Sequence, residues 1–366
     1  MASSTTATSD VRFAKPLTFP RYFCNQIKPK PLAVTDVDLS GKTALVTGSN
    51  SGVGLETSRQ LLDLGLGKLI LAVRDEEKGR QAAAELSRGR ADFNPENIEV
   101  WKLDQSDYGS VVAFAERAKA SLERLDIAVL NAGIGPAQRR VNAATGHDEI
   151  VQVNYLSTAL LAILLLPVAK AARPRQPQPT RITFTSSEAS AFTRFFPVGN
   201  PQAPVLAALD APGKAARNTG DRIFVSKLLG QFFLTKLAGV VPPSVAIINA
   251  ASPGTIHDSR FTRDRDGTRA GAISKAILRR FGHTSAVGAR MMTDAAVRHG
   301  KETHGQFLSF QKVVRMAPII YTTDGQMISE HLWKETLDEL AFANVTEILM
   351  EVTNLTNLGT LPNSIY

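Results

Sequence analysis

The chain of 366 residues holds one cysteine, Cys24. That excludes an intramolecular disulfide and a cysteine-based zinc site; no metal is expected, and the setting it suits is reducing and cytoplasmic. Long apolar runs are missing too. The longest, Ala159 to Leu166, stops at Pro167, far below the roughly 20 residues of a membrane span, so no span is expected. Residues 11–30 carry five Lys/Arg and no acid, and the first ten are rich in Ser and Thr. This segment lacks the apolar core of a secretory signal, and residues 1–37 read as a poorly ordered arm.

Dense charge of one sign is also absent. The formal charge is +8, from 42 Lys+Arg against 34 Asp+Glu, but the basic residues are scattered. The densest groups, Arg139-Arg140 and Arg279-Arg280, lack interleaved aromatics, which argues against a nucleic-acid partner. With 43% hydrophobic and 21% charged residues, a sizeable core is expected.

What the chain does have is an alternation of short apolar runs and amphipathic stretches. Strands are expected at 43–47, 68–73, 98–102, 127–130, 182–185 and 245–249, with helices at 55–64, 76–87, 108–122, 149–171 and 222–238. Such alternation implies parallel pairing through right-handed crossovers. The fold class is therefore α/β, a doubly wound parallel sheet of Rossmann type in one domain, 38–327, with a helical C-terminal extension, 328–366. Leu332, Leu337, Leu340, Ile348 and Leu349 give residues 329–353 a helical period. Two long irregular stretches, 188–221 and 255–285, read as substrate loops.

Gly48, Ser49, Asn50, Ser51, Gly52, Val53 and Gly54 join the first strand to the first helix. Glycines there allow a tight turn and close approach of a pyrophosphate, which the helix N-terminus then receives. The second strand ends on Arg74, where an acid would take a ribose 2′-hydroxyl and an arginine suits a 2′-phosphate. NADP(H) is the expected cofactor.

Thr47-Gly-x-x-x-Gly-x-Gly54 and Asn131-Ala132-Gly133 together resemble the short-chain dehydrogenase/reductase family. The wider wording (Leu39-Ser-Gly-Lys-Thr, Ala72-Val-Arg-Asp-Glu-Glu-Lys-Gly, Ser252-Pro253-Gly254) is similar to its fungal secondary-metabolite branch. The resemblance covers about residues 38–345. It implies adenine contact by Asp104, a nucleotide floor at Asn131, Ala132 and Gly133, and further cofactor contacts at Pro253, Gly254 and Lys227. The helices of Asn154 and Lys227 often pair across a homodimer in the family, and the apolar Leu160–Leu166 face suits either that pairing or burial by the chain's own tail. Of the family's Asn–Ser–Tyr–Lys tetrad, Asn154, Ser187 and Lys227 match. Ile223 stands where the tyrosine belongs, four residues before Lys227, and no tyrosine lies between Ser187 and Lys227.

An alkyl group moves no proton, so three functions compete. One is an NADP(H)-dependent reductase or dehydrogenase of a small, aromatic polyketide-type molecule, with Ser187, a water held by Asn154 and Lys227, or a substrate group handling the proton. Another is an isomerase, cyclase or dehydratase, with Glu188, His257 or Lys227 as acid/base. The last is a silent NADP-binding protein. Glu188, Phe192, Ile223, Phe224 and His257 are the expected substrate pocket, with Phe195 and Phe196 beside them.

Overall fold

The computed structural model describes residues 30–90, 94–193, 203–211, 219–261, 263–265, 276 and 278–354. Most of the expected arm, Phe195, Phe196 and much of the 255–285 loop lie outside them. In chain order the elements are β1 (Thr43–Thr47), α1 (Gly52–Asp63), β2 (Lys68–Val73), α2 (Glu76–Ser87), β3 (Ile98–Lys102), α3 (Tyr108–Ser121) and β4 (Ile127–Leu130). There follow the composite helix α4 (Glu149–Arg175), β5 (Thr180–Thr185), α5 (Val205–Asp210), α6 (Thr219–Val240) and β6 (Ala246–Ser252). Then come α7 (Ser285–Val297), β7 (Phe307–Ser309), β8 (Lys312–Val314), α8 (Thr323–Glu339) and α9 (Val345–Thr353).

The strands form one sheet in the order β3-β2-β1-β4-β5-β6-β7-β8. All pairs are parallel except β7 with β8. β1 and β4 are buried at every position, as continuous apolar runs covered on both faces should be. Alternate residues face opposite cores. Leu45, Ile70, Ala128 and Ile182 pack under α3, α4 and α6. Ala44, Val46, Leu69 and Val129 pack under α1 and α7. The strand order reverses direction between β1 and β4, the switch point where such sheets bind ligands.

α4 departs from one regular helix. Gln152–Leu156 is a π-turn, and Pro167 begins its last piece, Leu166–Ala172. α4 and α6 are long and apolar enough to cross a membrane by length and composition. In α4, 89% of the most apolar window is buried in the protein, so it serves as a core helix.

The helical period expected over 329–353 falls on two helices, α8 and α9, parted where Asn344 takes a left-handed φ of 53°. Both lie on the domain: α8 packs against α5 and α6, and α9 against α4, burying Leu340, Val345, Leu349 and Val352. The chain's own tail thus takes part of the α4 surface that pairing in a homodimer would use. The described end of the arm, residues 30–37, is also held in place. Leu32 N–H donates to Gln311 Oε1 at 2.9 Å, and Asp36 pairs with Arg298.

Candidate active site

The glycine-rich turn is built by contacts that leave no room for a side chain. Gly48 has φ +64°, and a Cβ there would lie 2.9 Å from Ala132 Cα. At Gly54 a Cβ would lie 2.5 Å from the Gly48 carbonyl oxygen and 2.6 Å from Asn131 Nδ2. Gly54 therefore packs α1 against β1 and β4 rather than lining the cleft, and Ser49 is wholly buried beneath the turn. Both were expected as cofactor contacts, and neither is among the residues that line the cleft. Thr47 Oγ1 accepts from the N–H groups of Asn131 and Ala132, both at 2.9 Å, while Asn131 Nδ2 donates to Thr47 O at 3.0 Å. These bonds fix the ends of β1 and β4 side by side.

Above them runs a cleft of about 350 Å³. Gly48, Asn50, Ser51, Gly52 and Val53 line one part of it, Arg74 and Asp104 another, and Asn131, Ala132 and Gly133 the floor. Ser187, Ile223, Phe224, Lys227, Pro253 and Gly254 line it as well. Asp104 Oδ1 accepts from Ser106 N–H at 3.0 Å and from its hydroxyl at 2.6 Å. Asp75 is paired with Lys78 at 2.7 Å and Glu77 with Arg80 at 2.8 Å. Arg74 is left exposed, without an ion pair among the described residues.

β5 delivers Ser186 and Ser187 to the cleft. Ser187 Oγ accepts from Ala189 N–H at 3.1 Å, which leaves its own proton to donate. The buried Gln231 donates to Ser186 Oγ at 3.3 Å and accepts from Ala317 N–H at 2.9 Å, bracing this strand end. Lys227 Nζ donates to Thr185 O at 2.8 Å. Burial lowers its pKa to about 8, because desolvation disfavours the ammonium.

Four more of the expected residues do not line the main cleft. Asn154 does not line the cleft: its Oδ1 accepts from Ile134 N–H at 2.8 Å, and its Nδ2 donates to Ile134 O at 3.0 Å and Ser226 Oγ at 3.2 Å. It positions the cleft wall and α6. Glu188 is turned behind the cleft, where it accepts from Ser252 Oγ at 3.0 Å and Ser309 Oγ at 2.6 Å. Burial raises its pKa. His257 and Phe192 are not among the lining residues either. His257 N–H pairs with His283 O at 3.1 Å, holding the loop against the start of α7.

A second cavity, of about 20 Å³, lies behind the first. Asn154, Thr158, Ser186, Ser226 and Lys227 contribute polar groups to it, and it is large enough for one water. The expected water between Asn154 and Lys227 therefore has a place.

Inside the expected substrate loop 255–285, residues 259–261 and 263–265 form a strap whose lining residues the sequence did not single out. Ser259 reaches the turn, 3.6 Å from where a Gly52 Cβ would stand, and Arg260 and Arg263 line the cleft. Phe261 packs where a Gly135 Cβ would stand, beside Ile223 Cδ1, and Phe261 O accepts from Gly135 N–H at 3.2 Å. Asp264 closes the strap on Arg140 at 2.6 Å. No period or motif marks this segment; its aromatic between arginines was the one available sign.

A family profile described as short chain dehydrogenase matches residues 42–197. The short-chain dehydrogenase fogG of Aspergillus ruber is 43% identical over 89% of this chain and 93% of its own length. The short chain dehydrogenase/reductase mfmJ of Annulohypoxylon moriforme is 41% identical over 90% and 93%. Among solved structures, a short chain dehydrogenase from Shigella flexneri superposes with a TM-score of 0.54 at 20% identity, covering 77% of this chain and 94% of that one. With the nucleotide-type cleft at the β1–β4 switch and relatives alike over nearly their whole length, this chain belongs to the short-chain dehydrogenase/reductase family, an oxidoreductase by type beside fungal members.

Proposed function

We propose that the protein is an NADP(H)-dependent reductase or dehydrogenase acting on a carbonyl or alcohol of a small, aromatic polyketide-type secondary metabolite in the cytoplasm. The observation that carries the cofactor choice is Arg74, at the cleft without an ion pair among the described residues, while Asp75 pairs with Lys78 and Glu77 with Arg80. Gly48 and Gly52, which line the cleft at the turn, fit a bound pyrophosphate. When bound, the cofactor supplies hydride. The chain does the rest: Asp104 and Asn131 hold the nucleotide, Ser187 donates to the substrate oxygen, and Lys227 holds the proton supply. Ile134, Ile223, Phe224 and Phe261 give the reacting end an apolar wall, suited to a flat aromatic substrate.

Ile223 favours a second reading, an isomerase or cyclase on the same scaffold. The turn that carries the family's proton donor is alkyl here, so non-redox proton transfer through Lys227 competes with reduction.

The cofactor assignment has a direct check. Arg74→Ala should weaken NADPH by about 1.5–3 kcal/mol, the worth of a charged hydrogen bond, and leave NADH nearly unchanged. Calorimetry showing equal losses for the two would refute it.

A further inference from the structure

With Ile223 unable to carry a proton, few groups remain that could. Glu188 is bonded to Ser252 and Ser309 away from the cleft, and His257 does not line it. Tyr155 is buried on α4, bonded to Thr336 Oγ1 at 2.6 Å with its pKa raised by burial. Of the titratable groups that do line the cleft, Asp104 is bonded to Ser106, and Glu149 stands at the first turn of α4, 3.9 Å from Arg140. Arg74, Arg260 and Arg263 do not release protons in the working range.

Among the described residues Lys227 remains, and its placement is unusual. It lines both the main cleft and the 20 Å³ cavity behind it. Its bond to Thr185 O at 2.8 Å uses one of three ammonium hydrogens. Glu188, on the turn after β5, and Tyr155, on the π-turn of α4, are the ionisable side chains brought toward α6, and burial raises the pKa of each. Asp148, at the start of α4, is paired with Arg222. Burial alone sets the low pKa of Lys227, about 8.

We propose that Lys227 is itself the general acid, giving a proton from Nζ to the substrate oxygen that Ser187 holds. The proposal rests on the oxidoreductase reading above. The step breaks an Nζ–H bond and forms an O–H bond on the oxygen of a carbonyl that takes hydride from the reduced nicotinamide dinucleotide. The electron pair of the broken bond stays on the lysine nitrogen, and solvent returns a proton to the amine by way of the smaller cavity. Reduction then needs the ammonium form, so its rate is level below the pKa and falls as pH rises through about 8. An ordinary lysine would show no such fall until about pH 10.

The test uses the full chain, NADPH and 2-naphthaldehyde as probe, comparing wild type with Lys227→Arg, which keeps the charge but does not give up a proton. NADPH binding is followed by fluorescence, and reactivity of Lys227 toward acetic anhydride is followed against pH by peptide mass spectrometry. Expected are NADPH affinity within about fivefold of wild type, loss of turnover by about 10² or more, and a labelling midpoint near pH 8. Turnover in Lys227→Arg above roughly a tenth of wild type, or a wild-type rate level past pH 9 with labelling near 10, would overturn the proposal while leaving the oxidoreductase reading intact. NADPH bound without any reduction of the probe by wild type would overturn both.

Discussion

Ile223→Tyr should raise NADPH-dependent reduction of an aromatic aldehyde, though by less than the roughly 10²–10⁴ that a sole general acid contributes, because Lys227 already supplies a proton. The hydroxyl would enter the cleft one helical turn before Lys227, on the same face of α6. The ammonium beside it would favour the phenolate and so bring the phenol toward the working range. Space is the competing effect. Ile223 and Phe261 converge on Gly135, so the larger ring displaces Phe261 and with it the strap. Ile223→Tyr combined with Phe261→Ala should therefore gain at least as much as the single change. An isomerase or cyclase would behave differently: the ring fills its pocket, the native reaction suffers, and reduction stays negligible. A steady-state assay of both variants separates the two cases, and no gain in either would count against reduction.

Arg222→Met should cost about 3–5 kcal/mol, because it strands a buried carboxylate. Arg222 Nε lies 3.0 Å and a terminal nitrogen 2.8 Å from Asp148 Oδ2, and the same terminal nitrogen donates to Leu209 O at 2.9 Å. Arg139, 3.5 Å away, is the remaining cation near Asp148. This cluster joins the start of α4, the end of α5 and the first turns of α6, the helix that presents Ile223 and Lys227. Urea unfolding should show a lower midpoint with an unchanged slope. Arg222→Met with Asp148→Leu should recover most of the loss, since an apolar pair replaces a buried ion pair at little cost. About 1 kcal/mol should stay lost, because Asp148 Oδ1 caps Ile150 N–H at 3.0 Å. A single variant as stable as wild type would mean that the ion pair does not hold these helices.

The sheet was legible because buried parallel strands read as continuous β-branched and leucine runs, and because the turn at Gly48–Gly54 has few other uses between a strand and a helix. β7 and β8 were not legible. Each is three residues long, and their pairing depends on β6, about 55 residues earlier. Ser187, to which the family resemblance pointed, lines the cleft, as do Ile223 and Lys227, whose four-residue step on one helix gives them a shared face. Side-chain direction was not legible. Glu188 follows Ser187 in sequence, yet its partner Ser309 is 121 residues away and turns it inward. Asn154 is likewise claimed by the backbone of Ile134, across a loop whose course no local pattern gives. Phe261 escaped notice because its strap has no period, and only the absence of side chains at Gly133 and Gly135 makes room for it.

The most direct measurement is nicotinamide absorbance during turnover of an aromatic polyketide-type carbonyl by the full chain, repeated after all nicotinamide has been stripped away. If the cleft works as proposed, NADPH is consumed one for one with alcohol formed, and turnover stops in the stripped protein until NADPH returns. Turnover undiminished without nicotinamide would contradict the oxidoreductase reading and leave proton transfer as the chemistry of this site.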